Sequence, residues 1–299
     1  MLSLYPELED CRICPRDCSI NRYKETGYCR ASADIKVNLY QLHFGEEPVL
    51  SGTSGSGTIF FSHCNLNCIY CQNYTISYEG NGNIVSEEQC LEMMLNLQEQ
   101  GAHNINLVTP THYSIQLARI LHKAKLQGLK IPVVWNSNAY ESVETLKRLD
   151  GLVDIYLPDL KYASSKNSGL YSHTADYPEF ARKAIKEMHR QVGYLKCDDK
   201  GIAIKGLIIR LLVLPENIAG VSESLEWINS ELGNETCISL MAQYYPAWQA
   251  KNYPELNRGI DKQEYNEVLY TLERIEFNNG FTQELSCSDE WTPDFTQNG

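Results

Sequence analysis

The sequence predicts an α/β fold on a parallel sheet, either a partial (β/α)6 barrel or an open doubly wound sheet. Three observations carry this. Six short apolar runs alternate strictly with six helical segments, which is the pattern of a parallel sheet. The runs are apolar along their length, as strands are when both sheet faces are covered. Polar residues gather where the runs end, and in barrel-type sheets that end builds the active site. No Gly-rich dinucleotide loop follows the first run.

The elements follow in order. GTIFFS (57–62) is a short apolar strand that ends at a cysteine-rich loop. SEEQCLEMMLNLQEQG (86–101) has a Ser N-cap, apolar residues at helical spacing and a Gly stop. NINLVTP (104–110) reads as a buried strand, and SIQLARILHKAKLQG (114–128) as an amphipathic helix ended by Gly128. IPVVWNSN (131–138) is a strand, ESVETLKRLDG (141–151) a helix and LVDIYLPDLK (152–161) a strand. PEFARKAIKEMHRQVG (178–193) is a helix and GLIIRLLVLP (206–215) a strand. VSESLEWINSELG (221–233), CISLMAQYYP (237–246) and DKQEYNEVLYTLERIEFNNG (261–280) complete the series as helix, strand and long helix.

The 299 residues, 43% of them hydrophobic, supply a sizeable core. A net charge of −12 argues against nucleic acid as a partner, which would need a basic face. Lys123, Lys125 and Lys130 read as a solvated helix face and loop. No run approaches the ~20 apolar residues of a membrane span, and the first residues lack the basic and apolar regions of a signal peptide. Eleven cysteines without an export signal point to metal or redox chemistry in a reducing compartment, so a cytoplasmic location is expected.

SHCNLNCIYCQN (62–73) places Cys64, Cys68 and Cys71 in the spacing C-x3-C-x2-C. Zinc sites usually draw paired C-x2-C knuckles and a fourth ligand. A lone trio on one loop suits a cubane iron–sulfur cluster, in which three thiolates cap three irons and one iron stays open. The loop, with an aromatic residue just before its last cysteine and a strand just before it, resembles the radical S-adenosylmethionine (SAM) superfamily, over residues 45–285. The resemblance implies a partial (β/α)6 TIM-type barrel with a small Cys-rich N-terminal cap. It implies a 4Fe-4S cluster on the three cysteines and SAM as the missing ligand. It further implies one-electron cleavage of the SAM S–C5′ bond to methionine and a 5′-deoxyadenosyl radical, which takes a hydrogen atom from a substrate. The cofactors supply that reactivity; the protein positions and shields it. The readings of another kind are a structural zinc site and a metal-binding protein without catalysis.

The same resemblance implies the SAM contacts. TPTH (109–112) takes the place of a segment that usually carries two glycines and a glutamate, so Thr109 and Thr111 are expected to meet the methionine amino group through hydroxyls and carbonyls. Tyr70 and Asn73 are expected beside the cluster and the adenine. WNSN brings Asn136 and Asn138 where pyruvate formate-lyase activating enzymes carry a polar segment. Asp159-Leu160-Lys161 matches those enzymes at the next strand: Lys161 is expected to neutralise the SAM carboxylate and Asp159 to bind a cation or the ribose. Arg210 lies inside an apolar strand, where an unpaired guanidinium is costly; it meets the SAM carboxylate or forms a core ion pair. HFGEEPVLSGTSGSG (43–57) is an anion cradle or a linker. Tyr244, Tyr245 and Trp248 line the substrate mouth or pack.

Cys11, Cys14, Cys18 and Cys29 form a second set, spaced x2, x3 and x10. Four thiolates complete a tetrahedral site, with Zn2+ or a second iron–sulfur cluster both fitting, and a structural metal is favoured. Cys90, Cys197, Cys237 and Cys287 are read as bland, His112 as a rim residue and His63 as a donor to the cluster. Residues 1–50 are expected as the metal-binding cap, 51–285 as the barrel and 286–299 as a tail. The expected activity is that of an oxidoreductase similar to the activating enzymes. It would abstract hydrogen from the glycine of a glycyl-radical enzyme, with flavodoxin or ferredoxin as electron donor. The alternative substrate is a peptide or small molecule. No ferredoxin-like insert follows Cys71, a departure from some of those activases.

Overall fold

A computed structural model describes residues 4–285 together with residue 295. Cys287 and the rest of the expected tail, Phe295 excepted, lie outside the described residues. The strands are β1 (Ile35–His43), β2 (Ser56–Phe61), β3 (Asn83–Val85), β4 (Ile105–Val108), β5 (Val133–Ser137), β6 (Ile155–Pro158), β7 (Lys196–Cys197), β8 (Ala203–Leu212), β9 (Cys237–Met241) and β10 (Gly280–Thr282). The helices are α1 (Pro48–Ser51), α2 (Tyr74–Ser77), α3 (Glu87–Glu99), α4 (Ser114–Leu126), α5 (Val143–Lys147), α6 (Ser165–Ser172), α7 (Tyr177–Val192), α8 (Val221–Leu232) and α9 (Lys262–Ile275).

The sheet order is β10-β9-β8-β6-β5-β4-β2-β1-β3, with β7 beside β8. Strands β2, β4, β5, β6, β8, β9 and β10 run parallel in sequence order. Strand β1 turns antiparallel against β2, and β3 against β1. Among the described residues β3 and β10 do not pair, so the sheet is a partial TIM-type barrel that stays open. The six expected strand–helix units are all present. Four strands, β1, β3, β7 and β10, escaped the sequence reading. Strand β10 is three residues long, too short for a periodic signal. Strand β1 alternates Ile35, Val37 and Leu39 with polar neighbours, a readable half-buried pattern, but it lies within the stretch whose cysteines dominate.

Local signals set the helix starts. Ser86 Oγ accepts the Gln89 N–H at 3.1 Å while Gln89 Oε1 accepts the Ser86 N–H at 2.8 Å, a capping box that begins α3. Asp261 and Glu264 do the same for α9. The sheet buries both faces. Leu107, Trp135, Tyr156, Ile209 and Leu240 face helix residues such as Leu117, Ile120, Ile185, Met188 and Ile228. Val134, Ile155, Leu157, Ile208 and Cys237 form the other face and close around Leu50 of α1. The segment 43–57 is thus packed on the sheet and is not a free linker. Its helix α1 plugs the inner face, because the run Pro-Val-Leu supplies apolar bulk just where the strands begin.

Glu141 is fully buried beneath β4 and β5. Its Oε1 accepts Trp135 Nε1–H at 2.8 Å and the Thr111 hydroxyl at 3.0 Å. Burial raises its pKa above the free value of 4.5, and the donors Trp135, Ser137 and Thr111 only partly offset that. A carboxyl raised by folding contributes most below the free value and loses its contribution as pH rises through the folded one. Glu141→Gln is therefore expected to lose less stability than the native chain as pH rises from 5 to 8. Urea unfolding at the two pH values should show a relative gain on the order of 1 kcal/mol.

Candidate active site

The cysteine loop is held by its own apolar residues. Strand β2 is buried along its length and ends at Phe61. Leu66 and Ile69 then sink into the core, and the Ile69 N–H donates to the Tyr171 carbonyl at 2.9 Å. Tyr70 wedges edge-on between Tyr162 and Tyr244. The sulfurs, so restrained, all line one cleft of about 220 Å3 at the C-terminal ends of the strands.

Each sulfur receives donors. Cys64 Sγ accepts the Leu66 N–H at 3.4 Å and Asn138 Nδ2–H at 3.2 Å. Cys68 Sγ accepts the Ser172 hydroxyl at 3.0 Å, and Cys71 Sγ lies 3.1 Å from Ser77 Oγ. Burial pushes the Cys64 thiol up to about 11 and the Cys68 thiol up to about 12, against the pull of these donors and Lys161. Such thiols become thiolates when a metal supplies positive charge. Three sulfurs on one loop, each already hydrogen-bonded, fit a cluster with three protein ligands.

Polar groups from successive strand ends face the trio. Asp159 follows β6; its Oδ1 accepts Arg210 Nε–H at 2.6 Å and its Oδ2 accepts Lys161 Nζ–H at 2.8 Å. Arg210 of β8 also reaches Glu46 Oε2 at 3.3 Å and Asn136 Oδ1 at 2.7 Å. Asn106 donates to the other Glu46 oxygen at 2.9 Å. Burial by itself would raise Asp159; Arg210 and Lys161 outweigh it and hold the carboxyl below its usual range. Glu46 goes the other way, because burial outweighs the attraction of Arg210.

The cleft brings together Tyr70, Asn73, Thr109, Asn136, Asn138, Asp159, Lys161 and Arg210 with the three cysteines. Thr111 is not among them; it turns into the core to donate to Glu141, because the chain enters a 3-10 turn at that residue. Thr109 has φ +58, a left-handed backbone that β-branched residues rarely adopt, and its N–H donates to the Asn136 carbonyl. Asn138 spends its amide on Cys64 and on Asn65 Oδ1 at 2.8 Å. His112 leaves the rim: its Nε2 lies 2.8 Å from the Ser62 carbonyl, and it lines the chamber of the N-terminal cysteines. Trp248 stacks on Tyr74 of α2. Tyr244 is buried, its hydroxyl donating to the Leu256 carbonyl. Glu46, Ser172 and Asn65 were missed as site residues; only Glu46, a carboxylate in a Gly/Ser stretch, left a signal.

The sequence model of the radical SAM superfamily matches residues 58–228, from β2 through the cysteine loop into α8. The chain belongs to the radical SAM superfamily, and it is a radical SAM enzyme whose cofactors are a 4Fe-4S cluster and SAM. It is 33% identical over 278 residues to an uncharacterized protein of Methanocaldococcus jannaschii, covering 89% of this chain and 75% of that one. Among solved structures it is similar to HydG, a maturase of the FeFe-hydrogenase, with a TM-score of 0.49 and 14% identity over 73% of this chain. The chain spans 48% of that HydG chain, about half its length. Methylornithine synthase (PylB) is matched with a TM-score of 0.49 and 13% identity, over 79% of this chain and 74% of its own. No helix among the described residues is long and apolar enough to cross a membrane.

Proposed function

We propose that this enzyme abstracts a hydrogen atom from the glycine of a partner protein, as an activase of a glycyl-radical enzyme. The observation that carries the reading is the open sheet: with β3 and β10 unjoined among the described residues, the cleft stands at the mouth of an incomplete barrel that suits a protein loop. When bound, cluster and SAM supply one-electron cleavage and hydrogen abstraction. The chain's part is to place them. Lys161, the cation whose field reaches Cys64, Cys68 and Cys71, neutralises the SAM carboxylate. Arg210 anchors Asp159, which in turn aims Lys161. Thr109 offers its strained backbone to the amino group, and Asn136, Asn138 and Asn73 complete the polar wall. A donor of flavodoxin or ferredoxin type supplies the electron, and the chain works in the cytoplasm.

Transfer of deuterium from a glycine-labelled partner into 5′-deoxyadenosine tests the substrate. Label appearing from a peptide or small molecule instead would assign the chain to the alternative. Lys161→Ala is expected to raise KM for SAM about tenfold or more, through loss of a charge-assisted contact of roughly 1.5–3 kcal/mol. Steady-state kinetics with SAM varied gives the number.

A further inference from the structure

A cation outside the cleft bears on the cysteine loop. Arg30 follows Cys29, the last of the four N-terminal cysteines, which line one small chamber together with Arg22 and His112. Its backbone is left-handed, with φ +66, and its N–H donates to the Gly27 carbonyl at 2.8 Å. Residues other than glycine seldom adopt that conformation, and it persists where the surrounding structure enforces it. The turn carries the guanidinium to α2, the short helix that follows Cys71.

Two contacts fix it there. One Nη2–H donates to the Ser77 carbonyl at 3.3 Å. The guanidinium carbon lies 4.2 Å from the centre of the Tyr78 ring, a cation–π contact. Tyr78 in turn packs on Trp248, with ring centres 4.5 Å apart, and Trp248 stacks on Tyr74. Among the described residues no carboxylate pairs with Arg30, and its buried Nε has no hydrogen-bond partner. This half-buried cation therefore keeps its charge uncompensated.

Ser77 carries the link to the site. Its hydroxyl lies 3.1 Å from Cys71 Sγ, and its N–H donates to the Asn73 carbonyl at 2.9 Å. A metal-bound Cys71 is a thiolate with no proton to give, so the Ser77 hydroxyl is then the donor. The Arg30 charge also reaches this sulfur, alongside that of Lys161. Lys161 is paired with Asp159 inside the cleft; Arg30 stands outside the cleft lining without such a partner.

Reduction adds one negative charge to an iron–sulfur cluster. A fixed cation nearby, or a hydrogen bond to a ligating sulfur, favours the reduced form. Arg30 supplies the first and holds the second in place.

We propose that Arg30 is a positioning residue for the cluster at Cys64, Cys68 and Cys71, and that with Ser77 it raises the reduction potential of that cluster and so eases its one-electron reduction. The inference rests on the trio as cluster ligands, which iron and sulfide counting reads separately. Anaerobic titration with dithionite, followed by electron paramagnetic resonance without SAM, gives the potential. Arg30→Gln should keep its iron and become about tenfold harder to reduce, a fall of about 59 mV for one electron. Arg30→Lys, which keeps the charge, should stay within about threefold of the unsubstituted protein. Ser77→Ala should become about threefold or more harder to reduce, through loss of one hydrogen bond to sulfur. A purely structural role would change iron content or the unfolding midpoint and leave the potential of the loaded cluster alone. An unchanged potential in iron-loaded Arg30→Gln, or a fall in Arg30→Lys as large as that in Arg30→Gln, overturns the proposal. If Arg30→Gln takes up no iron, Ser77→Ala decides, because the cation stays in place there: an unchanged potential overturns the proposal. Iron missing from the unsubstituted protein would count against the trio itself, whereas iron present with an unshifted potential counts against Arg30 and Ser77 alone.

Discussion

Cys68→Ala is expected to reduce 5′-deoxyadenosine formation from SAM and dithionite to background, a loss of at least about a thousandfold, or more than about 4 kcal/mol of barrier. The reason is the ligand count. Among the described cysteines only Cys64, Cys68 and Cys71 line the cleft, so two sulfurs remain and no other described thiol stands beside them to replace the third. Cys90 is buried in the core from α3 and Cys237 lies on the inner sheet face beside Leu50. The substitution deletes one sulfur whose only side-chain donor among the described residues is Ser172, so the fold should persist. Far-ultraviolet circular dichroism should be unchanged while the iron count falls by about four. Cleavage at the native rate with the iron retained would show that the trio does not hold the cluster.

Arg210→Met is expected to cost about 3–5 kcal/mol in urea unfolding at neutral pH. Its guanidinium is the shared partner of Asp159, Glu46 and Asn136, and its side chain is 16% exposed. Removing it leaves Glu46 buried with only Asn106 and leaves Asp159 to Lys161. The cost has a pH signature. The Asp159 pKa lies below its free value of 3.8, so the stability it contributes is present above that value and is lost as pH falls through the folded one. The native chain should therefore lose more stability on acidification below about pH 4 than Arg210→Met does. Equal acid sensitivity would mean that Arg210 is not what lowers Asp159.

Much of this was legible residue by residue. The spacing of Cys64, Cys68 and Cys71 was readable because the three cysteines lie within eight residues. The strands and helices were readable because apolar periodicity is local. Thr111 was misplaced because a polar residue at a strand end looks the same whether it faces a cleft or a buried glutamate. His112 was assigned to the rim for the same reason, one turn short of where the chain carries it. Strand β10, three residues without a pattern, acquires its place only by pairing with β9.

From its order of residues alone this chain determined the alternation, the loop of three closely spaced cysteines and the second set of four thiols, since each is written in spacings of a few positions. Tertiary structure decided which charges meet. Glu46 and Arg210 stand 164 residues apart, and Asn65 and Asn138 stand 73 apart. Such pairs form only when strand order and register bring distant strand ends to one mouth of the sheet. No local pattern records that outcome, because the attraction between two buried groups exists only after the fold has removed the water between them.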